Sequence, residues 1–171
     1  MSEQIFATEI AAKLRALFTK GTDGIVLIYT GTANYVPSPL QKQLKNFPAR
    51  SRVVYVGIDF PQLPEIGSGL AGSIDGLAHH NYTFDVALLQ KIGDKDHQDV
   101  PLLQQGMANY LIDKVGTWCD SFKTTAVSGD KWQLHEAAIQ GGTFNTAPDL
   151  HRLGWWAVTI RVGVVVTVNR R

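Results

Sequence analysis

The chain has a single cysteine, Cys119, among 171 residues. That excludes an internal disulfide and any zinc site built from several thiolates. Its place beside Trp118, after a helix-like run, reads as a buried structural thiol rather than a nucleophile. Charge is also scarce: 18% of residues are Asp, Glu, Lys or Arg, and the formal net charge is +1. A strongly electrostatic nucleic-acid binder would show a basic excess, and none is present. Long apolar runs are missing too. A membrane-spanning helix needs about 20 apolar residues, and the longest apolar stretch, 155-WWAVTIRVGVVVTV-168, carries Arg161 near its middle. The start, MSEQIFATEIAAKLRALF, has no basic leader and no uninterrupted apolar segment, so no secretory signal is expected. No G-x-S-x-G elbow or Walker-type loop occurs, which removes the commonest hydrolase and nucleotide-binding signatures.

What is present is 44% hydrophobic residues, enough for a real core in one domain spanning 1–171. Phe6, Ile10, Leu14 and Phe18 recur every four residues, which predicts an amphipathic helix with Ile5 and Leu17 flanking the stripe. The glycine-bounded run Ile25–Tyr29 and the run Arg52–Ile58 read as buried strands. Tyr82, Phe84, Val86 and Leu88 alternate with Thr83, Asp85 and Ala87, the pattern of a half-buried strand. Asp99 is placed to cap a second helix, with Pro101 in its first turn. Leu103, Met107, Tyr110, Leu111 and Val115 form its apolar face, and Gly116 marks its expected end. Shorter strands follow near 122–127 and 131–137. In the last run, the even residues Trp156 to Val168 share one face, so it is a strand expected to bury that face on the two helices. At ~3.3 Å per residue it spans roughly 45 Å, so it is expected to outrun its own sheet or bend at Gly163.

The class is therefore α+β, two amphipathic helices on a largely antiparallel or mixed sheet with a long C-terminal strand. Two irregular stretches, about 30–50 and 61–81, are too long for ordinary connections and are expected to be functional arms or partly disordered in the lone subunit.

The glycines of 67-GSGLAG-72 match G-x-G-x-x-G, but Pro61 and Pro64 separate them from the preceding strand and no helix can follow directly. Dinucleotide binding needs both neighbours. The run 94-DKDHQD-99 lacks the glycine and glutamate of a calcium loop and reads as a turn. His79 and His80, adjacent in a strand, point to opposite faces and do not readily chelate one ion. No cofactor and no metal is expected. Lys42, Lys45, Arg50 and Arg52 are too dispersed for a phosphate site. The interleaved Leu40, Leu44 and Phe47 suggest contact with a partner protein instead.

In this order of elements, residues 3–168 resemble the tail terminator (tail completion) proteins of long-tailed bacteriophages. The resemblance rests on the first helix and strand, on 82-YTFDVALL-89 leading through a polar turn into 99-DVPLLQQGMANYLIDKVG-116, and on the alternating final strand. It implies a non-enzymatic virion protein, made in the host cytoplasm, whose copies close into a ring of six. Such a ring caps the head-proximal end of the tail tube, stops tube growth and joins a head-completion or neck protein. The implied partners are further copies, the tube protein and the neck, with no membrane and no sequence-specific nucleic acid. Candidate subunit or tube contacts are Leu40, Lys42, Leu44, Lys45, Phe47 and Arg50 in the first arm, and Leu70, Ile74 and Leu77 in the second. A tail-tube or neck subunit is the alternative, and a small-ligand enzyme using the 67–72 glycines is a further one.

Overall fold

A computed structural model describes residues 3–32, 38–58, 65–66, 77–93, 99–121, 126–127, 132–144 and 148–169. The elements among them are α1 (Glu3–Ala16), β1 (Ile25–Thr32), α2 (Ser38–Leu44), β2 (Arg52–Ile58), β3 (Glu65–Ile66) and β4 (Leu77–Lys91). They continue with α3 (Val100–Ser121), β5 (Ala126–Val127), β6 (Trp132–Thr143), α4 (Pro148–Arg152) and β7 (Trp155–Asn169). The strands form one sheet in the order β1-β2-β4-β7-β6-β5, with β3 pairing β4 off this path. β1 and β2 are parallel, and the other pairings are antiparallel. The fold is α+β on a mixed sheet, as the periodicities predict.

The first face of the sheet carries the larger core. Ile10, Leu14 and Phe18 from α1 and its C-terminal flank, and Met107, Leu111, Val115 and Cys119 from α3, pack on Val54, Val56, Phe84, Val86, Leu88, Val158, Ile160, Val162 and Val164. Of the predicted helix stripes, Ile10, Leu14, Phe18, Met107, Leu111 and Val115 are this core, Leu17 and Tyr110 pack against it, and Leu103 is not among its members. The side chains of Ile5 and Phe6 lie outside the described residues. Cys119 is buried, and burial is the main reason its thiol is pushed up to about 11, with the nearby Asp120 adding to it. Its helix does not stop at Gly116 but runs to Ser121. Gly116 meets only the tip of Ile139. A single internal glycine costs about 1 kcal/mol relative to alanine, too little to end a helix held by a packed face.

The second face holds a smaller core that the sequence reading did not anticipate. Leu40 and Leu44 of α2, Leu150 of α4, and Trp155 pack on Val53, Tyr55, Ala87, Leu89 and Ala157. This corrects the arm expected at 30–50. Parallel neighbours such as β1 and β2 need a crossover connection, and α2 lies in that crossover and buries its own apolar side. The centres of β2 and β4 are consequently buried on both faces rather than half-buried.

The long final strand neither outruns its sheet nor breaks at Gly163. β4 is equally long and pairs with it throughout, from Lys91–Trp155 to Leu77–Asn169, without a register shift. Trp156 is not part of the first core. It lies at the rim with its ring edge-on to His151, the centroids 4.3 Å apart. Trp155, on the opposite face, is the fully buried one. The strand expected near 131–137 is β6, which runs on to Thr143, and α4 follows it. Residues 61–64 and 67–76 of the second proposed arm lie outside the described residues, while 77–81 belong to β4.

Candidate interaction surface

The pairings set the second face in rows. The row nearest α2 is Leu27–Val53–Leu89–Ala157, and the next is Tyr29–Tyr55–Ala87–Thr159–Thr143. The third is Gly31–Gly57–Asp85–Arg161–Gly141. Side chains shrink along this direction, from a helix-covered apolar row to a row of glycines flanking one ion pair.

Two of the small positions have an identifiable cause. A Cβ on Gly31 would lie 2.8 Å from the Tyr29 ring and 2.9 Å from the Tyr55 hydroxyl. The two tyrosines stack with centroids 5.5 Å apart, leaning over this glycine. Gly163, one row further along β7, lies directly beneath the Gln140 side chain. Gln140 sits at the irregularity between Ile139 and Gly141, where β6 slips against β7. Such a bulge bends its strand and re-aims a side chain, which here lies flat over the sheet.

Asp85 and Arg161 stand directly opposite each other. Arg161 Nε donates to one Asp85 carboxylate oxygen at 3.1 Å and Nη2 reaches the other at 3.5 Å. The carboxylate is 6% exposed and the arginine side chain 48%, so the acid is the buried partner and the guanidinium its link to the surface. Around the pair, Gln140, Gly141, Gly142, Thr143 and Thr159 line a pocket of about 400 Å³. The Tyr55 hydroxyl is pushed up to about 12, mainly by burial and further by Tyr29 and Asp85. The arrangement offers hydrogen-bond donors and acceptors at nearly balanced charge.

The expected contact residues divide sharply. Leu40 and Leu44 are 3% and 0% exposed, so they are core and not contact residues; the α2 crossover explains why. Phe47 is half-buried, edge-on to Trp155 at 6.3 Å. Lys42, Lys45 and Arg50 are exposed. Lys91 Nζ donates to the carbonyls of Lys45 and Phe47 and pins that turn. Arg50 has a positive φ of 69°, stabilised by donation from its N–H to the Lys91 carbonyl. Arg52 bonds Gln90 at 2.9 Å and lies over the Tyr110 ring, which ties it to the fold. Leu70 and Ile74 lie outside the described residues, as do the glycines of 67–72. Leu77 is placed by its backbone at the start of β4. His79 and His80 fall by their backbone in β4.

The pattern reading missed three exposed apolar residues: Leu102, Ile112 and Phe144, at 75%, 47% and 51% exposure. The first two could have been found as apolar residues off the inward stripe of α3. Among the described residues no group of three or more His, Cys, Asp or Glu is placed to hold a metal. No helix among them is long and apolar enough to cross a membrane. The chain matches no family model and no curated protein.

Proposed function

We propose that this protein is a non-enzymatic virion subunit of the tail terminator type. Its copies close into a ring, of six by the resemblance, on the head-proximal end of a tail tube. The ring stops tube growth and presents a face to a head-completion or neck protein. The observation that carries this reading is the order and length of the elements around β4 and β7. Two fifteen-residue strands are paired throughout, the 22-residue α3 follows β4 in the chain, and the chain returns in β7. At ~3.3 Å per strand residue and ~1.5 Å per helix residue, the ribbon is roughly 50 Å long and α3 about 33 Å. The ribbon is thus longer than the helix laid on it, which leaves strand surface for other subunits.

The second face supports the same reading. Its open rows carry a charge-balanced polar pair and a shallow pocket, features of a surface that meets protein. Light scattering on the purified chain, followed by negative-stain imaging, tests the proposal. A closed ring with a central hole, alone or on tube ends, is the expected result. Open-ended tubes would move the reading to a tube subunit. A strict monomer that neither forms rings nor caps tubes would refute it.

A further inference from the structure

We infer that neighbouring copies join edge to edge, with β6 of one copy adding antiparallel to β1 of the next, so that the sheet continues around the ring. The inference rests on the ring reading and specifies its interface. Among the described residues, no strand pairs the outer edge of β1. Among the same described residues, β5 pairs only Trp132 and Gln133 of β6, and no strand pairs Leu134–Gly142 on that side.

β1 reads IVLIYTGT. It has no proline and no charge along its eight residues, and its one irregularity lies at its first residues, between Ile25 and Leu27. Monomeric proteins blunt such edges with charge, proline, bulges or covering elements, because an open apolar edge templates another strand.

Strand direction selects the partner. β1 and β2 run one way, β4 the other, β7 with β1, and β6 against it. Two copies set side by side with the same face forward therefore bring β6 against β1 in antiparallel orientation. The contact is head-to-tail and leaves a free edge at each end of any open chain, which is what ring closure requires. Pairing of β1 with β1 would instead be two-fold. The two register shifts in β6 bend this edge, in keeping with a sheet that must curve to close.

Crosslinking tests this directly. Thr30 pairs with the core residue Val56, and Ala137 and Ile139 pair with the core residues Val164 and Val162. All three therefore belong to the face covered by α1 and α3. In a Cys119→Ser background, Thr30→Cys protein is mixed with Ala137→Cys or Ile139→Cys protein and oxidised, each variant first shown to melt as the parent does. A covalent dimer in one mixture, and none in any variant alone, is expected. Hydrogen exchange of the 26–31 amides should slow on assembly, a readout that needs no substitution. A dimer from Thr30→Cys alone would show a two-fold edge and overturn the inference. Rings that form with no crosslink and unchanged exchange over 26–31 would overturn it while leaving the ring reading intact. Absence of any oligomer, free or on tubes, would remove both.

Discussion

Leu44→Ala separates a core role for residues 38–50 from an assembly role. Leu44 is fully buried among Trp155, Val53 and their neighbours, and its carbonyl accepts the Trp155 indole N–H at 3.1 Å. The substitution keeps the backbone acceptor and removes only the buried side chain. Large-to-small changes at such sites cost about 2–5 kcal/mol, the transfer term plus the cavity left behind. We take about 3 kcal/mol, because α2 is one short helix and its neighbours can partly close the gap. For a chain of this length that lowers the melting temperature by about 6–12 °C. With an m-value near 2 kcal/mol/M it moves the urea midpoint by about 1.5 M.

The assay is equilibrium urea unfolding of dilute, unassembled protein, followed by tryptophan fluorescence, with Lys42→Ala as the exposed control. The control should stay within about 0.5 kcal/mol of the parent. A Leu44→Ala change equally small, accompanied by loss of assembly, would refute the placement of this segment in the core and restore the arm.

Other perturbations probe the second face and the alkaline behaviour of the fold. In Gly142→Ala the new Cβ would lie 2.8 Å from the Thr159 carbonyl oxygen, so backbone must move and the cost should be about 1–3 kcal/mol. Gly163→Ala meets only the Gln140 side chain, which can swing away, so thermal melts of the two variants should show a smaller loss for it. Arg161→Leu strands the buried Asp85 carboxylate. Because the arginine is half exposed, we expect about 1–3 kcal/mol, below the range for a fully buried pair. The double variant Asp85→Leu/Arg161→Leu should recover part of that loss in urea unfolding, and strict additivity would argue against the pair acting as a unit. Tyr55, Tyr110 and Cys119 are pushed up to about 12, 12 and 11, each mainly by burial. A raised folded pKa on these acids leaves stability nearly unaffected below about pH 8, where both states are neutral. Stability then falls as the unfolded groups ionise first, and Tyr55 alone should remove on the order of 2 kcal/mol by pH 12. Urea midpoints at pH 8, 10 and 11 would check the slope, and a flat profile would count against it.

Much of the first core was legible because periodicity reports burial on one face. Ile10, Leu14 and Phe18 at one spacing, and Phe84, Val86 and Leu88 at the other, are core residues here. The second core was not legible, for a physical reason. Leu40, Leu44 and Phe47 stand among three prolines and several polar residues, and a seven-residue helix is too short to display a period. Only the parallel pairing of β1 and β2 requires a crossover there, and single-sequence patterning does not reveal which strands pair. The same blindness misplaced the reach of β7: a strand's length says nothing about the length of its neighbour. The polar rows were half visible. Asp85 interrupts an apolar strand and Arg161 another, and an acid and a base at the middle of two long strands are a reasonable signal of a cross-strand pair. Their meeting depends on register, which only the structure gives.

The position of β7 changes where a neighbouring subunit can attach. A long apolar strand invites the idea of a projecting end, but its hydrogen-bonding edges are taken by β4 along its whole length on one side and by β6 over 159–168 on the other. Backbone groups already paired within a chain have nothing to offer a second one. Capacity for a new strand must therefore lie at the limits of the sheet, and there the two edges differ. β6 carries Glu136 and two register shifts, devices that discourage indiscriminate pairing. β1 is uncharged, and the one shift in its pairing lies at its first residues. An assembly that grows only by matching unlike edges is better served by one guarded edge and one open edge than by two open ones. Two open edges would pair with themselves and with any stray strand, whereas a guarded edge admits only a partner that fits its bends. If copies pair edge to edge as inferred above, this asymmetry between β1 and β6 favours ordered closure over aggregation.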